Sequence, residues 1–252
     1  MKYILFAFLI AGVWFANSMV GEWRTNQTIN RYTFSNTSSW NPELLSFAAR
    51  PVKSVPDWQV RISIPLPPAN SSLETKEELA KLVSYKGLRT PDKIRQIENE
   101  LSIETIEIGG RPMSDYFDSA KYPHTALLFK DPYEDIVTIV LVLKQKYDRV
   151  RPHILEPEIM PVIEVPGHPA YPSGHSTQAH FMAYLLSEIL PEKEAELTME
   201  ADQIAKNREI AGVHYESDTE AGKLLAQQFV DLLLTDPEIE SLIKMAHSEL
   251  EQ

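Results

Sequence analysis

The stretch Pro172-Ser173-Gly174-His175 opens an amphipathic pattern that predicts a helix from Ser173 to Leu190. Ser173 is a favourable N-cap residue, and the first N–H groups of a helix have no carbonyl partner within the helix. These N–H groups lie at the positive end of the helix dipole, where anions bind, and Gly174 lets an anion approach the backbone closely. A plain capped helix with an exposed His175 is the alternative, so this stretch alone leaves two interpretations.

Helical spacing of apolar residues continues on both sides of this stretch and predicts a mainly α-helical protein. Three helices are expected to begin at a Pro that follows an N-cap residue, as at Thr90-Pro91, Asp131-Pro132 and Asp236-Pro237. The predicted helices are Lys76 to Tyr85, Pro91 to Leu101, Asp131 to Tyr147, Ser173 to Leu190, Pro191 to Val213, Ser217 to Leu234 and Pro237 to Glu249.

The N-terminal part of the chain has a different composition. Residues 1–18 show the pattern of a secretory signal peptide, with cleavage predicted after Ser18 and an uncleaved anchor as the alternative. Residues 19–75 are rich in Asn, Ser, Thr and Pro and predict an extended arm around a helical domain of residues 76–252. Within the arm, alternation from Trp58 to Ile64 predicts a short strand. We expect an exported protein, periplasmic or secreted, without a stable membrane span after cleavage.

The composition excludes several classes of protein. Cys is absent, which rules out a thiol nucleophile, a cysteine-ligated zinc site and an iron–sulfur cluster. The formal net charge is −12, and this argues against a nucleic-acid partner because phosphate backbones need a basic surface. An anionic substrate must therefore be held by a few local cations.

A first candidate group of cations lies at a predicted helix end. Lys144 and Arg151 are two helical turns apart and would lie on one face if the helix continued, and Pro152 forces Arg151 out of helical conformation at the end. The two cations are expected to converge there. Alternatively, the cations of this segment merely solvate the helix end and complement its dipole; they are Lys144, Lys146, Arg149 and Arg151.

A second candidate group combines a cation with a His–Asp pair. His214 and Asp218 are four residues apart, so the carboxylate can reach imidazole Nδ1 and leave Nε2 as a nucleophile or base. Because Asp218 favours the charged imidazole, we expect a raised pKa for His214. Arg208 adds a planar fork suited to phosphate. A surface His–Asp contact of little energetic value is the alternative.

Together, Lys-six-Arg-Pro at 144–152, Pro-Ser-Gly-His at 172–175 and Arg-five-His-three-Asp within 207–218 resemble the signature of the phosphatidic acid phosphatase type 2 superfamily. This superfamily also contains bacterial class A acid phosphatases and vanadium-dependent haloperoxidases. Asn207 departs from the pattern, which usually has Ser there, and the first 143 residues match no motif. The resemblance implies an all-α, single-domain helical bundle of the acid phosphatase/vanadium-dependent haloperoxidase type, here with the extended N-terminal arm.

The resemblance also implies a role for each motif residue. The residues that would bind phosphate are Lys144, Arg151, Ser173, Gly174 and Arg208. His214 would attack phosphorus to give a phosphohistidine, with Asp218 orienting it. His175 would protonate the leaving alkoxide and then activate water. The implied activity is that of a metal-independent, acid phosphatase-like phosphoric monoester hydrolase without a cofactor, acting on a small-molecule phosphate ester.

Other functions remain open at this point. In a vanadium-dependent haloperoxidase, vanadate would be the cofactor and His214 its ligand, whereas vanadate would inhibit a phosphatase. Haloperoxidases of this type are generally much longer chains. A non-catalytic phosphate-binding protein would use the cations but neither His175 nor an Asp-oriented His214. The oligomeric state is also open and includes a homo-oligomer.

A metal site formed by His168, His175, His214 and Asp218 is a further alternative. The same motifs carry three cations, which would repel a divalent ion, so we expect no metal. The segments that select the substrate are predicted between His153 and Tyr171 and in the unmatched N-terminal half. His168 is a candidate for the entrance of the site, with an ordinary loop residue as the alternative.

Overall fold

The computed structural model describes residues 26–102 and 104–250. Its α-helices are α1 Phe34–Thr37, α2 Pro42–Ala48, α3 Trp58–Arg61, α4 Leu73–Ser84, α5 Pro91–Asn99, α6 Pro123–Tyr147, α7 Pro152–Leu155, α8 Gly174–Ile189, α9 Glu194–Ile210, α10 Glu216–Leu233 and α11 Pro237–Leu250. Two short strands, β1 Glu107–Ile108 and β2 Arg111–Pro112, form an antiparallel pair with Glu107 opposite Pro112. The predicted all-α helical bundle is confirmed.

Helix α8 lies at the centre of the bundle and packs against α9, α10 and α6. Its side chains are buried on almost every face, as expected for an apolar helix enclosed by other helices. The close contact with α10 depends on Gly222, where a Cβ atom would lie 2.8 Å from the carbonyl oxygen of Ser173. This glycine therefore lets the first turn of α8 approach α10 and sets the position of the second motif.

Helix α6 begins earlier than the sequence predicts. The predicted start at Asp131 is wrong, because the helix begins at Pro123 and passes through Pro132. A proline inside a helix typically costs about 3 kcal/mol. Pro132 is nevertheless buried in the bundle, and Glu249 of α11 accepts hydrogen bonds from the N–H groups of His124 and Thr125 at 2.9 Å each. A contact between distant helices thus stabilises two turns that the local pattern did not indicate.

The arm predicted for residues 19–75 contains short helices where it is described. The predicted strand from Trp58 to Ile64 is wrong, since α3 forms one helical turn that buries Trp58 and is followed by a buried Ile62. Elsewhere, backbone groups of this segment form hydrogen bonds with the helical domain. The Tyr171 hydroxyl donates to the carbonyl oxygen of Pro65 at 2.6 Å, for example. The predicted signal peptide and its cleavage site after Ser18 lie outside the described residues.

A helix that crosses a membrane must be long and predominantly apolar. In the part of the chain that the structure describes, no helix combines the length and the apolar character needed to cross a bilayer.

Candidate active site

The first motif places two cations inside the protein. Lys144 lies in the last turn of α6, the chain leaves that helix through a left-handed residue at Asp148, and Arg151 caps α7. Both Lys144 and Arg151 are only 1% exposed, so they do not solvate the helix end. The Lys144 ammonium donates to the carbonyl oxygens of Pro169 and Ala170 at 2.7 and 3.2 Å. Burial and the charge of Arg151 lower the pKa of Lys144 well below its usual value.

Arg151 connects the loop before the second motif to the third motif. Its Nε and Nη2 donate to the carbonyl oxygen of His168 at 3.0 and 2.8 Å. Its Nη1 donates to the Val213 carbonyl oxygen at 2.6 Å and lies 3.2 Å from Nε2 of His214. Burial lowers the pKa of Arg151 to about 10, which leaves the side chain charged at neutral pH.

The second motif forms the N-terminus of α8. Ser173 is the N-cap, as predicted, and its hydroxyl accepts a 3.4 Å hydrogen bond from the N–H of Ser176. The Ser173 N–H donates to the carbonyl oxygen of Asp218 at 2.9 Å. A Cβ atom at Gly174 would meet only Val140, at 3.9 Å, so there is space beside this residue. The first N–H groups of a helix lie at its positive end, where anions bind.

His175 lies in this first turn, and its environment favours the neutral imidazole. Nε2 is 2.9 Å from the carbonyl oxygen of Glu100. A carbonyl oxygen only accepts hydrogen bonds, so Nε2 carries the hydrogen and Nδ1 holds the lone pair. Burial and the charge of Arg208 lower the pKa of His175 to about 3.

The third motif contains the predicted His–Asp contact. Nδ1 of His214 is 3.1 Å from Oδ2 of Asp218, which also accepts the Tyr215 N–H at 2.9 Å. The carboxylate makes Nδ1 the donor and leaves the lone pair on Nε2, beside Arg151. The expected rise in the pKa of His214 is wrong. Burial and the charge of Arg151 outweigh Asp218 and lower that pKa well below its usual value.

Arg149 is a buried ion-pair residue, whereas the sequence pattern indicates only a cation at a solvated helix end. Its Nη1 donates to Oδ1 of Asp218 at 2.5 Å and its Nη2 to Oε2 of Glu78 at 3.1 Å. The guanidinium also stacks on the Tyr215 ring, 3.8 Å from its centroid. Burial opposes the charge of Arg149, but Asp218, Tyr215 and Glu78 together outweigh burial and raise its pKa. Burial likewise opposes the charge of Asp218, but Arg149, His214 and the Tyr215 N–H together outweigh burial and lower the pKa of that carboxyl.

Arg208 has the most available N–H groups of the three motif cations. Its Nη2 donates to the Ile97 carbonyl oxygen at 3.1 Å and to Oε2 of Glu100 at 2.6 Å. Nε and Nη1 are buried and have no hydrogen-bond partner among the described residues. Buried donors without partners are costly, particularly on a charged group. An anion is the ligand that would satisfy them.

A cavity of about 150 Å³ brings the three motifs together. Five of the eight predicted residues line it, namely Lys144, Gly174, His175, Arg208 and His214. Arg151, Ser173 and Asp218 lie behind them, in contact with His214 or with each other. His168 and Pro166 also line the cavity, as expected for the loop between His153 and Tyr171. Its remaining walls are largely apolar and include Leu44, Leu101, Val137 and Ile163.

The side chains weighed as metal ligands do not form a cluster suited to a metal. Among residues 26–102 and 104–250, no group of three or more His, Asp or Glu residues is arranged to hold an ion. Arg151 lies between two of the weighed ligands, with Nη2 3.1 Å from Nδ1 of His168 and Nη1 3.2 Å from Nε2 of His214. The arrangement instead provides cations and N–H donors around a small cavity, which is the chemistry of an oxyanion site.

The comparisons with known proteins agree with this class of site. Residues 135–235 match the PAP2 superfamily, and this segment contains all three motifs. The similarity to this superfamily thus lies in the segment that carries the candidate site.

Curated relatives include bacterial acid phosphatases. The chain is 29% identical over 110 residues to the non-specific acid phosphatase of Providencia stuartii, covering 42% of this chain and 44% of that protein. It is 29% identical over 143 residues to the acid phosphatase of Zymomonas mobilis subsp. mobilis, covering 54% and 53%. It is 31% identical over 113 residues to the non-specific acid phosphatase of Salmonella typhimurium, covering 42% and 44%. The chain thus spans about half the length of the curated relatives it matches.

Two solved structures share the fold. A bacterial vanadium-dependent iodoperoxidase superposes with a TM-score of 0.58 at 16% identity, over 84% of this chain and 63% of that chain. A transmembrane PAP2-type phosphatidylglycerolphosphate phosphatase from Bacillus subtilis superposes with a TM-score of 0.51 at 18% identity, over 77% and 91%. At these identities the similarity concerns the fold alone.

Proposed function

We propose that this protein is an exported, metal-independent phosphatase that hydrolyses small phosphomonoesters through a phosphohistidine intermediate. One observation carries the proposal. His214 directs a neutral Nε2 toward a cavity that Lys144, Arg208 and the first turn of α8 also line, and Asp218 holds its Nδ1. The acid phosphatase relatives support the reaction class.

In the proposed mechanism, the phosphoryl group enters the cavity and accepts hydrogen bonds from the free Nε and Nη1 of Arg208. Lys144 and the N-terminus of α8 neutralise its other oxygens. Nη1 of Arg151, now beside Nε2 of His214, shifts its hydrogen bond to a phosphoryl oxygen and releases the lone pair of the imidazole. Positioning and charge neutralisation are the main contributions that phosphoryl transfer requires from a protein.

Two displacements complete the reaction. First, Nε2 of His214 forms a bond to phosphorus while the bond from phosphorus to the ester oxygen breaks, and His175 gives its proton to the leaving alkoxide. Second, His175 takes a proton from water, the hydroxide attacks phosphorus, and the bond to Nε2 breaks to release inorganic phosphate. Asp218 offsets the positive charge that His214 carries as a phosphoimidazole.

We expect hydrolysis of an aryl phosphate to persist in EDTA and to be inhibited by vanadate. Vanadate imitates five-coordinate phosphorus, which the cations are arranged to bind more tightly than the substrate. Initial rates with and without chelator, and then with increasing vanadate, check both parts. Complete loss in EDTA that a divalent ion restores would contradict the metal-free mechanism.

Two further assays test the alternative functions, the first of them on the vanadate-loaded protein. Oxidation of bromide or iodide by peroxide, without any phosphatase activity, would favour the haloperoxidase. Tight binding of inorganic phosphate without turnover of any ester would favour a phosphate-binding protein.

We expect an acidic optimum whose alkaline limb lies at higher pH for kcat than for kcat/KM. His175 must be protonated to act as the acid, so the rate falls as pH rises through its pKa. In the free protein that pKa is lowered to about 3 by burial and Arg208. A bound phosphate ester adds negative charge beside the imidazole and raises the pKa, and kcat reports this bound state. Superimposable limbs in the two profiles would contradict the assignment.

A further inference from the structure

Glu100 contacts two of the three motifs although it lies outside the segment that matches the superfamily. It follows the last residue of α5 and is only 6% exposed. Its Oε2 accepts from Nη2 of Arg208 at 2.6 Å, and its Oε1 accepts from Nδ2 of Asn207 at 2.6 Å. Its carbonyl oxygen meets Nε2 of His175 at 2.9 Å.

The carboxylate of Glu100 binds Arg208, although Glu100 is not among the residues that line the catalytic cavity. Arg208 lines that cavity, whereas Glu100 lines a separate surface depression together with Gln96 and Gln203. Glu100 thus engages only Nη2 of the guanidinium and leaves the buried Nε and Nη1 without a partner. A carboxylate in this place directs the free edge of the guanidinium toward a ligand without filling the ligand's space.

Asn207 provides a second observation for the same arrangement. It stands where the superfamily pattern usually has Ser, and its Nδ2 binds the second carboxylate oxygen of Glu100. Its Oδ1 accepts from Nε2 of Gln203 at 2.9 Å and from Nζ of Lys93 at 3.3 Å. The Asn at position 207 therefore has a structural role, because its amide donates to the carboxylate oxygen of Glu100 that Arg208 does not contact.

We infer that Glu100 is a positioning residue for phosphoryl transfer, which holds Arg208 in the orientation that binds the phosphoryl group. Asn207 fixes the carboxylate of Glu100 by donating a hydrogen bond to its other oxygen. The expected effect on the rate of hydrolysis rests on the proposed function. The effect of Glu100 on anion affinity is independent of turnover.

The test compares Glu100→Gln with the double variant Glu100→Gln/Asn207→Asp. In the single variant, the amide nitrogen must face a donor on either Asn207 or Arg208. In the double variant, the amide oxygen accepts from Arg208 and the amide nitrogen donates to the new carboxylate, which restores both contacts. Glu98→Gln is the matched control, because Glu98 lies exposed on the same helix.

Inorganic phosphate affinity is measured by calorimetry, kcat and KM are measured on nitrophenyl and alkyl phosphates, and the melting temperature is measured for each variant. We expect Glu100→Gln to lose roughly ten- to hundredfold in phosphate affinity and kcat/KM, as for a disrupted hydrogen bond to a charged group. The loss should be equal for the two esters, since Arg208 acts on the phosphoryl group that they share. The double variant should recover most of it, and Glu98→Gln should match the wild type.

Several results would overturn the inference. Unchanged phosphate affinity in a folded Glu100→Gln variant would show that Glu100 has only a structural role. Tighter phosphate binding would show that it competes with the ligand for Arg208. If Glu100→Gln does not fold, failure of the folded double variant to bind phosphate like the wild type would be decisive. A wild type that binds phosphate but hydrolyses no ester would refute the proposed function alone.

Discussion

Replacing His214 by Ala is expected to reduce phosphatase activity to background, whatever the leaving group. The substitution removes the atom that bonds to phosphorus, so no covalent intermediate can form. Loss of a nucleophile that acts together with its neighbours typically costs on the order of 10⁴- to 10⁶-fold in rate. The measurement is turnover of an aryl phosphate combined with rapid quenching in alkali and detection of phosphohistidine, which is labile in acid but persists in alkali.

A matched control separates chemistry from folding in this experiment. His180 is another buried histidine in contact with a carboxylate, since its Nε2 lies 3.0 Å from Oδ1 of Asp202. It does not line the catalytic cavity. His180→Ala should therefore retain phosphohistidine formation even if its melting temperature falls. A phosphate trapped on Ser173 in the wild type, or a covalent intermediate that persists in His214→Ala, would refute the role of His214.

Replacing His175 by Ala is expected to give a loss that depends on the leaving group. An alkoxide leaves poorly unless it is protonated, whereas a nitrophenolate needs little protonation. General acid catalysis typically contributes about 10²- to 10⁴-fold, so hydrolysis of an alkyl phosphate should fall by that order and hydrolysis of nitrophenyl phosphate by much less. The ratio of kcat/KM for the two esters, in the variant and in the wild type, measures the effect.

The same variant also tests the order of events. Because His175 does not bond to phosphorus, a phosphohistidine should still form in His175→Ala with nitrophenyl phosphate. It should accumulate, since activation of water in the second step also needs this residue. Equal losses on both esters would contradict the role of general acid, and they would leave the role of His214 intact.

Local signals in the sequence were sufficient for most of the helices. Thr90 is the N-cap of α5, with its side chain accepting from the N–H of Lys93, and Ser173 is the N-cap of α8. These features are predictable because capping, the position of proline and helical periodicity depend on neighbouring residues only. The start of α6 was not predictable, because Glu249 caps its first turn from more than a hundred residues away.

The eight motif residues were likewise recognised from their order and spacing, and the structure places five of them around one cavity and the other three behind these. Their electrostatics could not be derived in the same way. The pKa of His214 depends on how deeply the imidazole is buried and on the approach of Arg151, and these oppose Asp218. Sequence spacing indicates which groups are neighbours on a helix, but it does not specify how far each is removed from water.

The sequence by itself thus determined the helical class and the chemical groups of the site, since both follow from periodicity and from motifs in which each residue type has one role. Only the tertiary structure decided which partners orient those groups. Arg149 holds Asp218, and Glu100 with Asn207 holds Arg208. Glu100 reaches Arg208 across 108 positions of the chain. No local sequence pattern predicts such a contact, because it forms only when α5 packs beside α9 in the folded protein.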